Sequence, residues 1–243
     1  VYFYPKAFTK GCTIEANRFA EAQDGYKALN ATVIGLFGDD IETLKKFSVE
    51  ECRNRFAVAS DADGSIMKAY GAVMPLLSSY AMQGAGNTSA ALANIDKLTG
   101  PEWYPIFKNL HAGLIDELAN RQKDAGVRFE AAYKLDDTAL RIVDAYGRWM
   151  SRNKKEAEAA QLFETFDKKV PRHPLIVDAL KDLKAGKKLA AQIDTPQSGA
   201  AEALYGIGSS LTRRGGEDLA LVYLQLALYL HPNHPLALLS LAD

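Results

Sequence analysis

The sequence predicts an α/β fold over residues 1–74 followed by an all-helical repeat array over residues 75–243. Two observations lead there. As far as about residue 71, β-branched or aromatic runs alternate with segments of helical period, as strands and helices taken in turn would. From about residue 76 such runs stop, and apolar residues of matched size recur every 34 positions.

Taken in order, VYFY at 1–4 has the composition of a buried strand. CTIEANRFAEAQDGYKAL at 12–29 sets Ile14, Phe19, Ala22, Tyr26 and Leu29 at helical spacing. ATVIGLF at 31–37 is a continuous apolar run, the pattern of a strand covered on both faces. DIETLKKFSVEECRNRF at 40–56 reads as a second helix with Asp39 or Asp40 as its N-cap. FAVASD at 56–61 is a short strand and ADGS at 62–65 a turn. The sum is β-α-β-α-β, which implies a parallel sheet.

Beyond residue 76, helices are separated by short polar breaks such as GAGNTS, LTGPE, KLDD, SRNKKE and RRGGED. Ala91, Ala125 and Ala159 are spaced by 34, as are Ile95, Phe129 and Phe163, and Gly113 and Gly147. In the last unit Gly208, Gly215, Ala220, Leu224, Ala227 and Pro232 fall at offsets 8, 15, 20, 24, 27 and 32 of a 34-residue unit, and Pro171 has the offset of Pro232 in the unit that holds Gly147, Ala159 and Phe163. Small residues let two helices approach, a large one fills the gap beside them, and proline stops the second helix. This pattern resembles the tetratricopeptide repeat, with a degenerate stretch around 172–199. The resemblance implies a scaffold whose groove holds a peptide or protein ligand. The aromatics Trp103, Tyr104, Phe107, Tyr146 and Trp149 are expected as repeat core or groove lining. The chain begins inside a strand run and ends one helix into a further repeat, so a piece of a longer protein is expected.

Lys plus Arg (29) nearly equals Asp plus Glu (30), so no global basic field attracts nucleic acid. No run approaches the roughly 20 apolar residues of a membrane span, and the first residues do not read as a signal peptide. Two cysteines make no disulfide framework for a chain this long, which fits a reducing, cytoplasmic setting.

The chemistry centres on Cys12. The run Pro5-Lys6-Ala7-Phe8-Thr9-Lys10-Gly11-Cys12 follows a strand and opens a helix. Free amides at a helix start favour a thiolate, and the thiolate is the nucleophile. Thr9 can offer a hydroxyl to the sulfur or to a bound oxygen, Pro5 can shield the sulfur, and Gly11 lets backbone approach a substrate. With ATVIGLFGDDIETLKKF and SDADGSIMKAYG, this loop resembles the peroxiredoxins, most closely the bacterioferritin-comigratory or Q-type group of the AhpC/TSA thiol peroxidases. The resemblance covers residues 1–71 and implies a thioredoxin-like fold, present here in part. It implies an antioxidant oxidoreductase that reduces hydrogen peroxide or alkyl hydroperoxides, with Cys12 as the peroxidatic cysteine and Pro5 and Thr9 beside it. It also implies a thioredoxin-like reductant and no metal, haem or flavin cofactor.

Many Q-type members carry a resolving cysteine five residues after the first; here that position is Asn17. Cys52, late in the second helix segment, is either a resolving cysteine or a packed apolar residue. The family's active-site arginine, from a later strand, has no counterpart, since Arg53 and Arg55 stand on the second helix and its exit. The runner-up reading is therefore a non-catalytic peptide-binding scaffold with a vestigial N-terminal piece, and a third is an artificial join of two partial proteins. Gly-x-Gly in QGAGNTS and LYGIGSS lacks the strand-turn-helix setting of a dinucleotide site. His231 and His234 in HPNHP read as a solvated turn rather than metal ligands, and His111 and His173 as isolated.

Overall fold

A computed structural model of the chain describes residues 2–4, 6–212 and 217–242. Val1, Pro5 of the cysteine loop and Gly215 of the last repeat lie outside the described residues. The chain divides into two compact units, Val1–Gly71 and Ala72–Asp243.

The first unit runs β1 (Tyr2–Tyr4), α1 (Lys10–Glu21), α2 (Gln23–Ala28), β2 (Ile34–Phe37), α3 (Ile41–Glu50) and β3 (Ala57–Ser60), and α4 (Ser65–Gly84) begins in it. The strands form one sheet in the order β1-β2-β3, parallel throughout, with Tyr4 opposite Phe37 and Phe37 opposite Ser60. Parallel neighbours need crossover segments, and α1–α2 and α3 supply them. Phe37 is the hub of the core. Its ring stacks on Tyr4 at 4.6 Å between centroids and meets Phe47 edge-on at 5.0 Å.

Three expectations need correction. The helix expected over 12–29 is two helices that meet at Ala22, because the Gln23 side-chain amide donates to the Phe19 carbonyl at 3.2 Å and takes the place of a helical N–H there. The buried stripe of α1 is Cys12, Ala16 and Ala20, whereas Ile14 and Leu29 are exposed, so small side chains rather than the largest face the core. The helix expected over 40–56 ends at Glu50, since Arg53 and Asn54 both adopt positive φ (54° and 52°), which no α-helix accommodates. Cys52 therefore lies past the helix rather than late within it. Asp40 caps α3 by accepting from the Thr43 N–H at 2.9 Å.

The second unit continues with α5 (Thr88–Asp96), α6 (Tyr104–Leu118), α7 (Gln122–Leu135), α8 (Leu140–Arg152), α9 (Glu156–Lys169), α10 (Pro174–Lys184), α11 (Pro196–Thr212), α12 (Glu217–Leu230) and α13 (Pro235–Ala242). Among the described residues it contains no strand. The 34-residue spacing is a packing period. Ala91, Ala125 and Ala159 are fully buried, as are Ile95, Phe129 and Phe163. A Cβ on Gly113 would lie 2.7 Å from the Phe129 ring, and one on Gly147 would lie 2.3 Å from the Phe163 ring. The stretch at 172–199 departs from the period. It holds α10 and an irregular segment over 187–195, after which α11 packs against α6.

Charges are buried where α8, α11 and α13 meet. Arg141 pairs with Glu202 and, at 3.0 Å, with Asp144, which also takes Arg148 at 2.6 Å. His234 is not in a solvated turn as the sequence suggested. It is buried, its Nδ1 accepts from the Ala237 N–H at 3.1 Å to cap α13, and its Nε2 lies 3.1 Å from Glu202. His111 is likewise no isolated histidine, for it is buried with its Nδ1 2.8 Å from the Tyr80 hydroxyl.

Gly147→Ala is expected to lower the stability of the helical unit by about 2 kcal/mol through overpacking against Phe163. An unchanged melting temperature would contradict the close approach.

Burial, opposed by the charge of Glu202, pushes His111 down to about 4. Burial alone would raise Glu202, but Arg141 and His234 outweigh it and hold it at about 2. The unfolded histidine binds its proton below about pH 6.5 while the folded one does not, so that contribution is complete above pH 6.5 and is lost as pH falls toward 4. The Glu202 contribution is present above its unfolded value near 4.5 and is lost only as pH falls toward 2. Thermal melts from about pH 7.5 to about pH 4.5 should show a loss on the order of 3 kcal/mol that His111→Gln flattens. A wild-type profile flat over that range would contradict the buried neutral imidazole.

Candidate functional site

Cys12 is the third residue of α1, and Thr9 is the N-cap with extended backbone (φ −78°, ψ 149°). The Thr9 carbonyl accepts from Thr13 N–H at 2.9 Å and so closes the first turn. No side chain caps the helix, and its first turn carries no acid. The first-turn amides and the positive helix end are thus left to stabilise negative charge next to the sulfur.

The loop that leads into this turn is held from below. The Ala7 N–H donates to Asp39 Oδ2 at 2.6 Å, and the Asp39 carbonyl accepts from the Ser60 hydroxyl at 2.7 Å. Asp39 therefore ties the cysteine loop to the carboxyl ends of β2 and β3. Phe8 sits at φ 59°, unusual for a residue with a side chain, and its ring meets Phe47 of α3 edge-on at 5.1 Å. The Thr9 hydroxyl donates to the Lys6 carbonyl at 3.2 Å.

Both cysteines are free and buried in one core cluster with Tyr4, Phe37, Leu44 and Phe47. Burial raises the Tyr4 hydroxyl, and the charge of Glu15 adds to the effect. Cys52 is fully enclosed, its N–H donates to the Phe47 carbonyl at 3.2 Å, and burial with the neighbouring Glu51 pushes its thiol up to about 12.

Asn17 links the two cysteine-bearing segments. Its Nδ2 donates to Glu51 Oε2 at 3.1 Å and its Oδ1 accepts from Arg53 Nη2 at 2.9 Å, so it grips the residues on either side of Cys52. Arg53 also lies 3.6 Å from Glu21, and Arg55 pairs with Asp24 at 2.9 Å. Both guanidiniums are thus engaged on the exposed side of α1 and α2, and Arg18 is exposed on α1.

The structure brings Thr9, Cys12 and Cys52 into one unit; Pro5 is not described. Sequence reading missed the loop role of Asp39. Its signal was the Asp39-Asp40 doublet after a strand, where only one of the two is needed as a cap. It also missed Asp61, a buried carboxylate just past β3 that accepts from Ile66 and Met67 N–H at 2.9 and 2.8 Å.

Residues 1–94 match the family model described as AhpC/TSA. Over 71 residues the chain is 38% identical to Peroxiredoxin Bcp of Escherichia coli strain K12, covering 29% of this chain and 45% of that protein. It is equally identical over 71 residues to the chloroplastic Peroxiredoxin Q of Triticum aestivum, covering 32% of that protein, and to that of Populus jackii, covering 33%. The chain spans less than half the length of these curated relatives. The repeat resemblance of the second unit rests on its packing period alone. No described helix is long and apolar enough to cross a membrane.

In the native protein at about pH 7.5, Cys52 should resist iodoacetamide and become reactive only on unfolding, because the thiolate is the reactive form. Peptide mapping by mass spectrometry checks this, and rapid native labelling of Cys52 would contradict its enclosure.

Proposed function

We propose that the N-terminal unit is a thiol peroxidase and that Cys12 is its nucleophile. The carrying observation is the placement of Cys12 in an uncapped first helical turn, behind a loop pinned by Asp39. The match of residues 1–94 to the AhpC/TSA family supports it.

The Cys12 thiolate attacks one oxygen of a peroxide. An S–O bond forms as the O–O bond breaks, and the departing oxygen takes a proton to leave as water or an alcohol. The sulfur is oxidised to sulfenic acid and the peroxide is reduced. First-turn amides stabilise the charge as it shifts from sulfur to oxygen, and the family resemblance gives Thr9 and Pro5 as the residues that assist it. A thiol then condenses with the sulfenic acid, releasing water and forming a disulfide, and a thioredoxin-like dithiol restores the cysteine. Cys52 is the in-chain candidate for that thiol. In its enclosed state it is protonated and a poor nucleophile, so resolution requires the segment after α3 to open.

The second reading is a non-catalytic scaffold in which the helical unit, a tetratricopeptide-like array, binds a peptide or protein. What favours it is the engagement of Arg53 and Arg55 with Glu21, Asn17 and Asp24, which leaves neither to support a thiolate.

Reduced protein mixed with one equivalent of hydrogen peroxide decides between them. The peroxidase reading expects gain of one oxygen at Cys12, about a hundredfold faster than for free cysteine, abolished by Cys12→Ser. With Cys52→Ser the sulfenic acid should persist if Cys52 is the resolving thiol. Oxidation no faster than that of free cysteine would leave the scaffold reading.

A further inference from the structure

Residues 187–195, between α10 and α11, are neither helix nor strand, yet they do not simply skirt the surface. They cross α8. The Leu189 N–H donates to Ser151 Oγ at 2.9 Å, Arg152 Nη1 donates to the Leu189 carbonyl at 2.7 Å, and Arg148 Nη1 donates to the Ala190 carbonyl at 3.3 Å. Connecting segments usually leave their peptide groups to water. Here three side chains on one helix hold two successive residues by their main chain, as a peptide-binding surface holds an extended ligand.

A side-chain contact adds to this grip, for the Gln192 amide oxygen accepts from the Arg141 guanidinium of α8. Leu189 and Ile193 are buried, four residues apart, while Lys187, Lys188, Ala190, Asp194 and Thr195 are exposed. The gripping residues are set without the segment. Arg152 pairs with Glu117 of α6, and Arg148 pairs with Asp144 of its own helix. Each end of the segment has a local stop of its own, although Glu202 further along α11 pairs with Arg141 of α8. Gly186 turns at φ 72° with open space where a Cβ would be, and α11 starts on its own Thr195–Ser198 hydrogen bonds.

We propose that residues 187–195 are an intramolecular ligand of α8. They form a strap that occupies a preformed peptide surface and is displaced by an extended segment of another protein carrying two aliphatic side chains four residues apart. The strap keeps the surface closed, so external affinity is reduced by the fraction of molecules in which it is detached. This inference does not depend on the chemistry at Cys12.

The test uses the full chain and a fluorescein-labelled peptide of residues 186–196, GKKLAAQIDTP, followed by fluorescence polarisation. In Leu189→Asp/Ile193→Asp the strap loses both anchors while the α8 surface is intact. That variant should bind the peptide at least about tenfold more tightly than the wild type does. A peptide carrying the same two aspartates should bind neither protein. Equal binding by both proteins would overturn the proposal. So would loss of the cooperative helical melt in the variant, since the segment would then be part of the core. In the wild type, the Leu189 amide should exchange with solvent at least about a hundredfold faster than amides inside α8, and equal protection would likewise overturn it.

Discussion

Cys12, Ala16 and Ala20 form the buried face of α1 and share one core with Tyr4 and Phe37. That placement makes Cys12 a core residue and a candidate nucleophile at once. A larger side chain there would lift the helix and move the loop that precedes it. The loop has its own restraint in the bond from Ala7 to Asp39, so strand ends, loop and helix start hold one another in place. Because the helix start carries no capping side chain, its amides remain available where the sulfur sits. The cost is access. Cys12 is only 5% exposed, so a peroxide has to enter past the loop.

The alternation of strands and helices was legible because each element is written in a few consecutive residues. The same holds for Asp40 as a cap and for the 34-residue spacing, which became the contact of Gly113 with Phe129 and of Gly147 with Phe163. What was not legible depends on residues distant in sequence. Which face of α1 is buried follows from the sheet beneath it, and so Ile14 misled. The break at Ala22 follows from one side chain competing for one carbonyl. Asn17, thirty-four residues before Glu51, shows no local sign of gripping it. His234 reads as a turn residue until Glu202 is placed beside it.

The helical unit owes its shape to two kinds of contact. Small-against-large packing repeats along the helix pairs and is apolar. The junction of α8, α11 and α13 instead places Arg141, Asp144, Glu202 and His234 together in the interior. Buried charges contribute little net stability, but breaking one partner is costly, so such a cluster fixes which arrangement forms. Through Glu202 it joins α11 to Arg141 of α8 and to His234 at the start of α13.

The claim that the sheet presents Cys12 through Asp39 is tested most directly by the rate at which Cys12 reacts with hydrogen peroxide in a Cys52→Ser background. Asp39→Asn keeps an acceptor for the Ala7 N–H and should react close to the parent rate. Asp39→Ala removes it and should react about tenfold more slowly, the equivalent of one hydrogen bond. Parent-like rates in both variants would contradict the account.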